Sequence, residues 1–567
     1  MNYAIPSPTR PFGTLLLLLL LTCGLHAQYT PPLRGALLVT GTFGELRSDH
    51  FHAGLDFRAA VGTPVYAVRE GYVSRIRISG GGYGQAVYLD HPDGKRSVYG
   101  HLESLTPELL DTIRALQYAR ETFEIDLALN PGDIPVTAGQ RIGAVGNRGF
   151  SFGPHLHFEI RESATDAPLN PLSLGFRVPD TRKPELQQLR VYEVSGAGEP
   201  VTTKTFDLPG RELPDTVRVG SERVAFAVKA IDRQNAMPNR NGIYGARILA
   251  DSLPLFSFAY DRIPYDKTEY LNALTDYAEW KRNRSWFYLL HARTPKAVFW
   301  KAEADSSDTG ILRLFPDRPV AVDVVGYDYA GNESVVSFVV VYDRRMAPAS
   351  PPNRAFQYFL PDGEASIIDT GSMRLELDGN ALYAPLRFRY VRLSDESADY
   401  LSDTHQLQDE ETPLHGSAIL TLRARTPVPP DLREKVYVGR CGPGGAFASA
   451  GGEWLDDGRM STRIRGFGDY ALLIDTFPPR VRIERFGTDL RGANAFSLLV
   501  ENDEGGEITF RGEVDGKWVL LEYDAKDGRL THTFAGNRIE AGRNHRFSLL
   551  LRDARGNETI FERSFRR

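Results

Sequence analysis

The sequence predicts a mainly β protein built from several modules, and three observations carry that reading. Short β-rich runs punctuated by glycine and turn residues recur along most of the chain. A strand–turn–strand pattern appears twice, as Asp328-Tyr329-Ala330-Gly331-Asn332-Glu333 and Asp553-Ala554-Arg555-Gly556-Asn557-Glu558. Only one clear helix interrupts the glycine-rich first region. At 567 residues the chain exceeds what one hydrophobic core can serve, and about 150 residues per domain gives three or four. Hydrophobic residues at 42% and charged ones at 25% suit folded soluble domains.

Taken in order, residues 1–27 read as a signal peptide. Arg10 precedes the apolar run Leu15 to Leu21, which is too short to span a bilayer, and Leu25-His26-Ala27 offers a cleavage site before Gln28. A lipoprotein signal on Cys23 and an uncleaved anchor are the alternatives. Loss of Cys23 leaves Cys441 alone, so the mature chain is expected to lack an internal disulfide.

Residues 28–179 form the first domain. Val65-Tyr66-Ala67-Val68 and Gly71-Tyr72-Val73 read as strands. Gln85 to Leu89, the turn at His91-Pro92-Asp93-Gly94 and Ser97-Val98-Tyr99 read as a hairpin, which makes His91 a solvated turn residue. Thr106-Pro107-Glu108 opens the helix: Thr106 can cap, Pro107 suits the first helical position and Glu108 favours the positive end. Leu109, Leu110, Ile113 and Leu116 give it an apolar stripe. Beyond about Pro179 come runs such as Val224 to Val228, Ala321 to Val325 and Phe547 to Leu551. With the repeated Asp, Gly, Asn turn chemistry they predict related β-sandwiches at 180–345 and 477–567. Pro348, Pro351 and Pro352 on one side and Phe477-Pro478-Pro479 on the other bound a third all-β unit, 346–476.

Three histidine-bearing segments of the first domain carry the chemistry. In His155-Leu156-His157-Phe158-Glu159-Ile160 the apolar residues alternate with His155, His157 and Glu159, so the segment reads as a strand with two imidazoles on one face. His52 and Asp56 supply an imidazole and a carboxylate four residues apart, and Gly54 favours a turn into a strand over a helix. Tyr99-Gly100-His101-Leu102 adds a further histidine. Zinc accepts histidine nitrogen and aspartate oxygen, and two histidines with one carboxylate leave a position open for water. His50 displaces His52 only if the register slips.

Together, H-x-x-x-D, Y-G-H-L and G-x-x-G-x-S-x-G-P-H-L-H-F-E follow the motif order of the lysostaphin/LytM-type zinc metallopeptidases, which the chain resembles from about Gly41 to Glu162. The resemblance implies a small antiparallel β-sheet domain with a groove across it. It implies His52, Asp56 and His157 as zinc ligands and His101 and His155 as the catalytic histidines. It also implies a peptidoglycan peptide as substrate, cut by an endopeptidase exported to the periplasm or cell envelope, or secreted. Two departures bear on the groove: the longer stretch from about Ser104 to Pro135, and Phe152 where many relatives carry a small or hydroxyl residue.

The downstream modules resemble bacterial immunoglobulin-like or fibronectin-like units, which implies positioning of the first domain or contact with wall, envelope or a partner protein. The formal net charge of −6 provides no footprint for nucleic acid and argues against electrostatic capture of an anionic wall polymer. Alternatives are a non-catalytic LytM-like envelope protein that binds the wall or activates an amidase, an exported β-module adhesin, and a metallopeptidase acting on proteins. The oligomeric state stays open.

Overall fold

A computed structural model describes residues 29–194, 200–208, 213–293, 310–346, 355–394, 400–442, 447–502, 506–534 and 538–567. The signal segment and Cys23 lie outside the described residues. Among the described residues, no helix is long and apolar enough to cross a membrane. The architecture is mainly β, with one long helix in the first domain and β-sheet modules after it.

The first domain is an antiparallel sheet whose central path runs Val39–Gly41, Leu55–Arg58, His155–Glu162, Lys95–Gly100, Gln85–Asp90, Gly71–Ile78 and Ile125–Ala128. Pro168–Leu169 and Pro135–Val136 pair at its margins, and a second, three-stranded sheet joins Pro64–Tyr66, Arg141–Val145 and Leu102–Leu105. Alternation decides what each face holds. Leu156, Phe158 and Ile160 are fully buried in the core with Phe57, Tyr99 and Val87, while the imidazoles of His155 and His157 take the other face.

The helix spans Pro107–Arg120 with Pro107 in the first turn, but Thr106 makes no side-chain cap bond. Leu109, Ile113 and Gln117 are its buried residues; Leu110 and Leu116 are half-buried. Its outer side meets the last module. Tyr118 lies edge-on to Trp518 at 5.1 Å, Arg538 caps the Tyr118 ring, and Glu121 pairs with Arg511 at 2.7 Å. The added stretch therefore serves as a docking surface for the C-terminal module.

Each downstream module is built on a pair of sheets, to which the third adds a two-stranded one, Tyr358–Leu360 with Leu386–Phe388. In the second, Glu185–Val194, Pro200–Asp207 and Arg223–Ile231 face a sheet built on Gly245–Ala250, Val320–Tyr327 and Glu333–Tyr342. Thr216–Val219 pairs in parallel with Glu333–Tyr342. The third stacks two five-stranded sheets and the last two four-stranded ones. The apolar core runs continuously from the first domain into the second module. Phe51 packs on Tyr260 at 5.4 Å, and Gly44, at φ +76°, admits the Tyr260 ring where a Cβ would lie 2.7 Å from it.

Candidate metal centre

Strand register brings the predicted ligands together. His157 sits opposite Asp56 on one neighbouring strand and opposite Gly100 on the other. Directly opposed residues of an antiparallel pair point to the same face, so Asp56 and His157 meet. Gly54 makes the approach possible: a Cβ there would stand 2.3 Å from the Phe158 carbonyl oxygen. The chain can then pass close enough for His52 to reach back over Asp56. His157 Nδ1 lies 2.9 Å and His52 Nε2 3.1 Å from Asp56 Oδ1, and the two nitrogens are 3.1 Å apart.

The remaining ring nitrogens identify which atoms face the centre. His52 Nδ1 donates to the Thr42 carbonyl at 2.8 Å, and His157 Nε2 donates to Glu159 Oε1 at 2.7 Å. A carbonyl or carboxylate can only accept, so these contacts fix the tautomers. His52 Nε2 and His157 Nδ1 then confront each other as lone pairs beside a carboxylate, an arrangement that calls for a cation or a shared proton. Its charge state says the same. Burial opposes the charge on Asp56, yet the facing imidazoles hold its carboxyl well below the usual range. Burial likewise opposes protonation of His157, but its bonds to Asp56 and Glu159 raise its pKa to about 9. Two imidazole nitrogens and one carboxylate oxygen, all within 4.8 Å of one another, could hold a metal ion and leave a coordination position for water.

His101 and His155 flank this point, their rings 4.8 Å apart. His101 follows the Lys95–Gly100 strand in a left-handed backbone conformation, φ 58°. Its Nδ1 donates to the Arg148 carbonyl at 2.7 Å, which leaves Nε2 as an acceptor. Burial, reinforced by His157 and His155, depresses its pKa to about 3. His155 Nδ1 donates to the Gly153 carbonyl at 2.8 Å, and its Nε2 stands 3.5 Å from Asp56 Oδ1. His50 stays outside the cluster, exposed beside Asp49. Phe152 is fully exposed on the loop entering His155.

Sequence reasoning assigned no role to the shell behind these ligands. Glu159 is fully buried; it takes a bond from Arg161 Nε at 2.6 Å and another from the Tyr83 hydroxyl. Tyr83 stacks on His157 at 5.0 Å, in space kept free by Gly100. Glu159 falls on the His155 and His157 face of the strand, and that alternation was the available signal. His91 corrects the expectation of a solvated turn residue. It is buried, donating from one ring nitrogen to the Glu70 carbonyl at 2.9 Å and paired through the other with Ser97 at 2.8 Å, because its ring turns inward against these groups and the edge-on Tyr29 ring at 5.9 Å.

The antiparallel sheet gathers two imidazoles and a carboxylate that could hold a metal ion, with two more imidazoles beside them. The model for Peptidase family M23 matches residues 50–118 and 125–171, and that for a Zu5-like domain matches 357–475. The DD-carboxypeptidase/endopeptidase Mpg of Neisseria meningitidis serogroup B is 32% identical over 135 residues, 24% of this chain and 25% of that protein. The cell division protein DipM of Caulobacter vibrioides is 27% identical over 138 residues, 24% of this chain and 19% of that protein. The catalytic domain of lysostaphin from Staphylococcus simulans is 27% identical, covering 24% of this chain and 92% of that one, with a TM-score of 0.19. Residues 50–171 are thus similar to Peptidase family M23, the lysostaphin/LytM-type family whose motifs the chain carries. The chain spans about a quarter of the length of the first curated relatives it matches.

Proposed function

We propose that the chain is a zinc-dependent endopeptidase that hydrolyses peptide bonds in peptidoglycan stem peptides or cross-links after export to the cell envelope. The observation that carries this reading is the convergence of His52, Asp56 and His157 on one point, with Nε2 of His101 and His155 turned toward it. The relatives support the substrate class, since one is a DD-carboxypeptidase/endopeptidase and another a cell division protein.

His52 Nε2, Asp56 Oδ1 and His157 Nδ1 would hold the ion, which when bound supplies Lewis acidity at the scissile carbonyl and acidifies water. The Arg148 and Gly153 carbonyls hold the outer nitrogens of His101 and His155, so each ring keeps a fixed orientation. One Nε2 accepts the proton of the attacking water. The other, once protonated, donates to the developing oxyanion or passes its proton to the leaving amine. The downstream modules would position this domain and offer surface to wall or envelope partners.

Digestion of purified sacculi by the zinc-loaded full-length chain, read by mass spectrometry with and without chelator, tests the reading. Release of stem-peptide or cross-link fragments that stops with chelator is the expected outcome. Intact sacculi under zinc loading would overturn it and favour a non-catalytic envelope protein.

A further inference from the structure

A second group of ligating side chains lies away from the peptidase centre, in a cleft of about 420 Å³ between the first domain and the second module. Carboxylate oxygens of Asp180, Asp232 and Asp328 lie there within 4.8 Å of one another. Asp180 belongs to the segment leaving the first domain, Asp232 follows the Arg223–Ile231 strand, and Asp328 opens the first repeated turn. Three anionic groups from distant parts of the chain have thus been brought together. Among the described residues, no lysine or arginine side chain forms a salt bridge with any of them.

The protein's own hydrogen bonds satisfy Asp328, both of whose oxygens accept from Asn332, and reach Asp180 Oδ1 through the Arg182 N–H, but they leave Asp180 and Asp232 incomplete. Asp232 is 1% exposed; its Oδ2 accepts from Gln234, but its Oδ1 has no hydrogen-bond partner. Asp180 Oδ2 is buried and likewise unpartnered. Asn241 is the backbone bridge partner of Asp232, so its side chain shares that face. It is 2% exposed, and neither its amide oxygen nor its amide nitrogen is bonded. A buried carboxylate oxygen and a buried amide left unmade are costly unless a ligand completes them. Burial and then the neighbouring carboxylates raise the pKa of Asp232 to about 7, the response of anions lacking a counter-charge.

The last module offers an internal comparison. Asn332 binds both Asp328 and the Asp180 carbonyl, and Asn557 binds both Asp553 and the Asp475 carbonyl. The turn scaffold is therefore the same in both modules. Where Asp232 follows its strand in the second module, Asn502 follows Ala495–Glu501 in the last. The scaffold by itself does not require the third carboxylate.

We propose that Asp180, Asp232 and Asp328, with the amide oxygen of Asn241, form an all-oxygen site for a calcium ion that pins the segment leaving the first domain onto the second module. Hard carboxylate and amide oxygens without nitrogen or sulfur donors suit calcium, whose remaining positions take water or backbone carbonyls. A short chain of contacts links the site to the peptidase centre. Gly242, next to Asn241, accepts a hydrogen bond from the Thr42 hydroxyl at 3.1 Å, and the Thr42 carbonyl orients His52.

The test is calcium titration of the zinc-loaded full-length chain by calorimetry, with thermal unfolding followed in parallel. One saturable calcium site of about millimolar affinity or tighter, with a raised unfolding temperature, is expected. Asp232→Asn should unfold no earlier than the parent without calcium, because one of three like charges is gone, and should lose at least about tenfold in calcium affinity. Asp180→Asn, at a more exposed position, should weaken calcium binding similarly. His157→Ala should leave the calcium response intact, which separates this site from the peptidase centre. Absence of any calcium response up to about 10 mM, or an unchanged response in both Asp232→Asn and Asp180→Asn, would overturn the proposal.

Discussion

Replacing Glu159 by Gln isolates the role of the shell behind the ligands. The side chain keeps its size and one acceptor oxygen, but the charge facing His157 Nε2 at 2.7 Å and Arg161 Nε at 2.6 Å is lost. Two effects follow. Arg161 keeps Asp166 at 2.8 Å as its remaining anionic partner, and breaking a buried ion pair costs about 3 kcal/mol. His157 loses the carboxylate that makes its Nδ1 electron-rich, and loss of such a partner typically weakens metal binding about 10- to 100-fold, or roughly 1.4–2.7 kcal/mol. Competition with a chromophoric zinc chelator near neutral pH measures the second effect, and urea unfolding of the metal-free protein measures the first. Zinc affinity equal to that of the parent in a folded Glu159→Gln protein would refute the idea that Glu159 tunes the centre.

Three further outcomes are expected. His157→Ala should lose metal and hydrolysis together, whereas His155→Ala should lose hydrolysis while keeping most of its metal; equal metal loss in both, by elemental analysis, would contradict the division of roles. Gly54→Ala should cost about 1–3 kcal/mol in urea unfolding and weaken metal binding, because its Cβ would meet the Phe158 carbonyl oxygen at 2.3 Å. Burial lowers the pKa of His291 and of His405 from 6.5 to about 4. Between those values the unfolded chain takes up protons that the folded one refuses. Their contribution to stability should therefore be full above about pH 6.5 and fall on acidification by up to about 3 kcal/mol per histidine. Urea midpoints across that range check this, and His291→Gln should flatten the slope.

The two-residue spacing of His155 and His157 within alternating apolar residues made the strand and its polar face legible. The His52–Asp56 spacing around Gly54 pointed to a turn into a strand, and the structure has Leu55–Arg58 there. What stayed hidden depends on tertiary register. Nothing local marks Thr42 as the acceptor for His52, or Tyr83 as the ring stacked on His157, because each contact joins separate strands and loops. His91 illustrates the limit of turn chemistry: it occupies a turn yet lies buried against Ser97 and the Glu70 carbonyl. The amphipathic stripe located the helix, but its role as the dock for Trp518 and Arg511 became visible only with the last module in place. Asp328 was legible as a turn residue; its meeting with Asp180 and Asp232 depends on three separate segments.

The most direct test of the metal centre is the zinc K-edge absorption spectrum of the full-length chain loaded with one zinc. The account predicts two imidazole nitrogens and a shell of oxygens, with zinc–nitrogen distances of about 2.0–2.1 Å and no sulfur, and loss of that spectrum in His157→Ala. A sulfur shell, or an unchanged spectrum in His157→Ala, would contradict it.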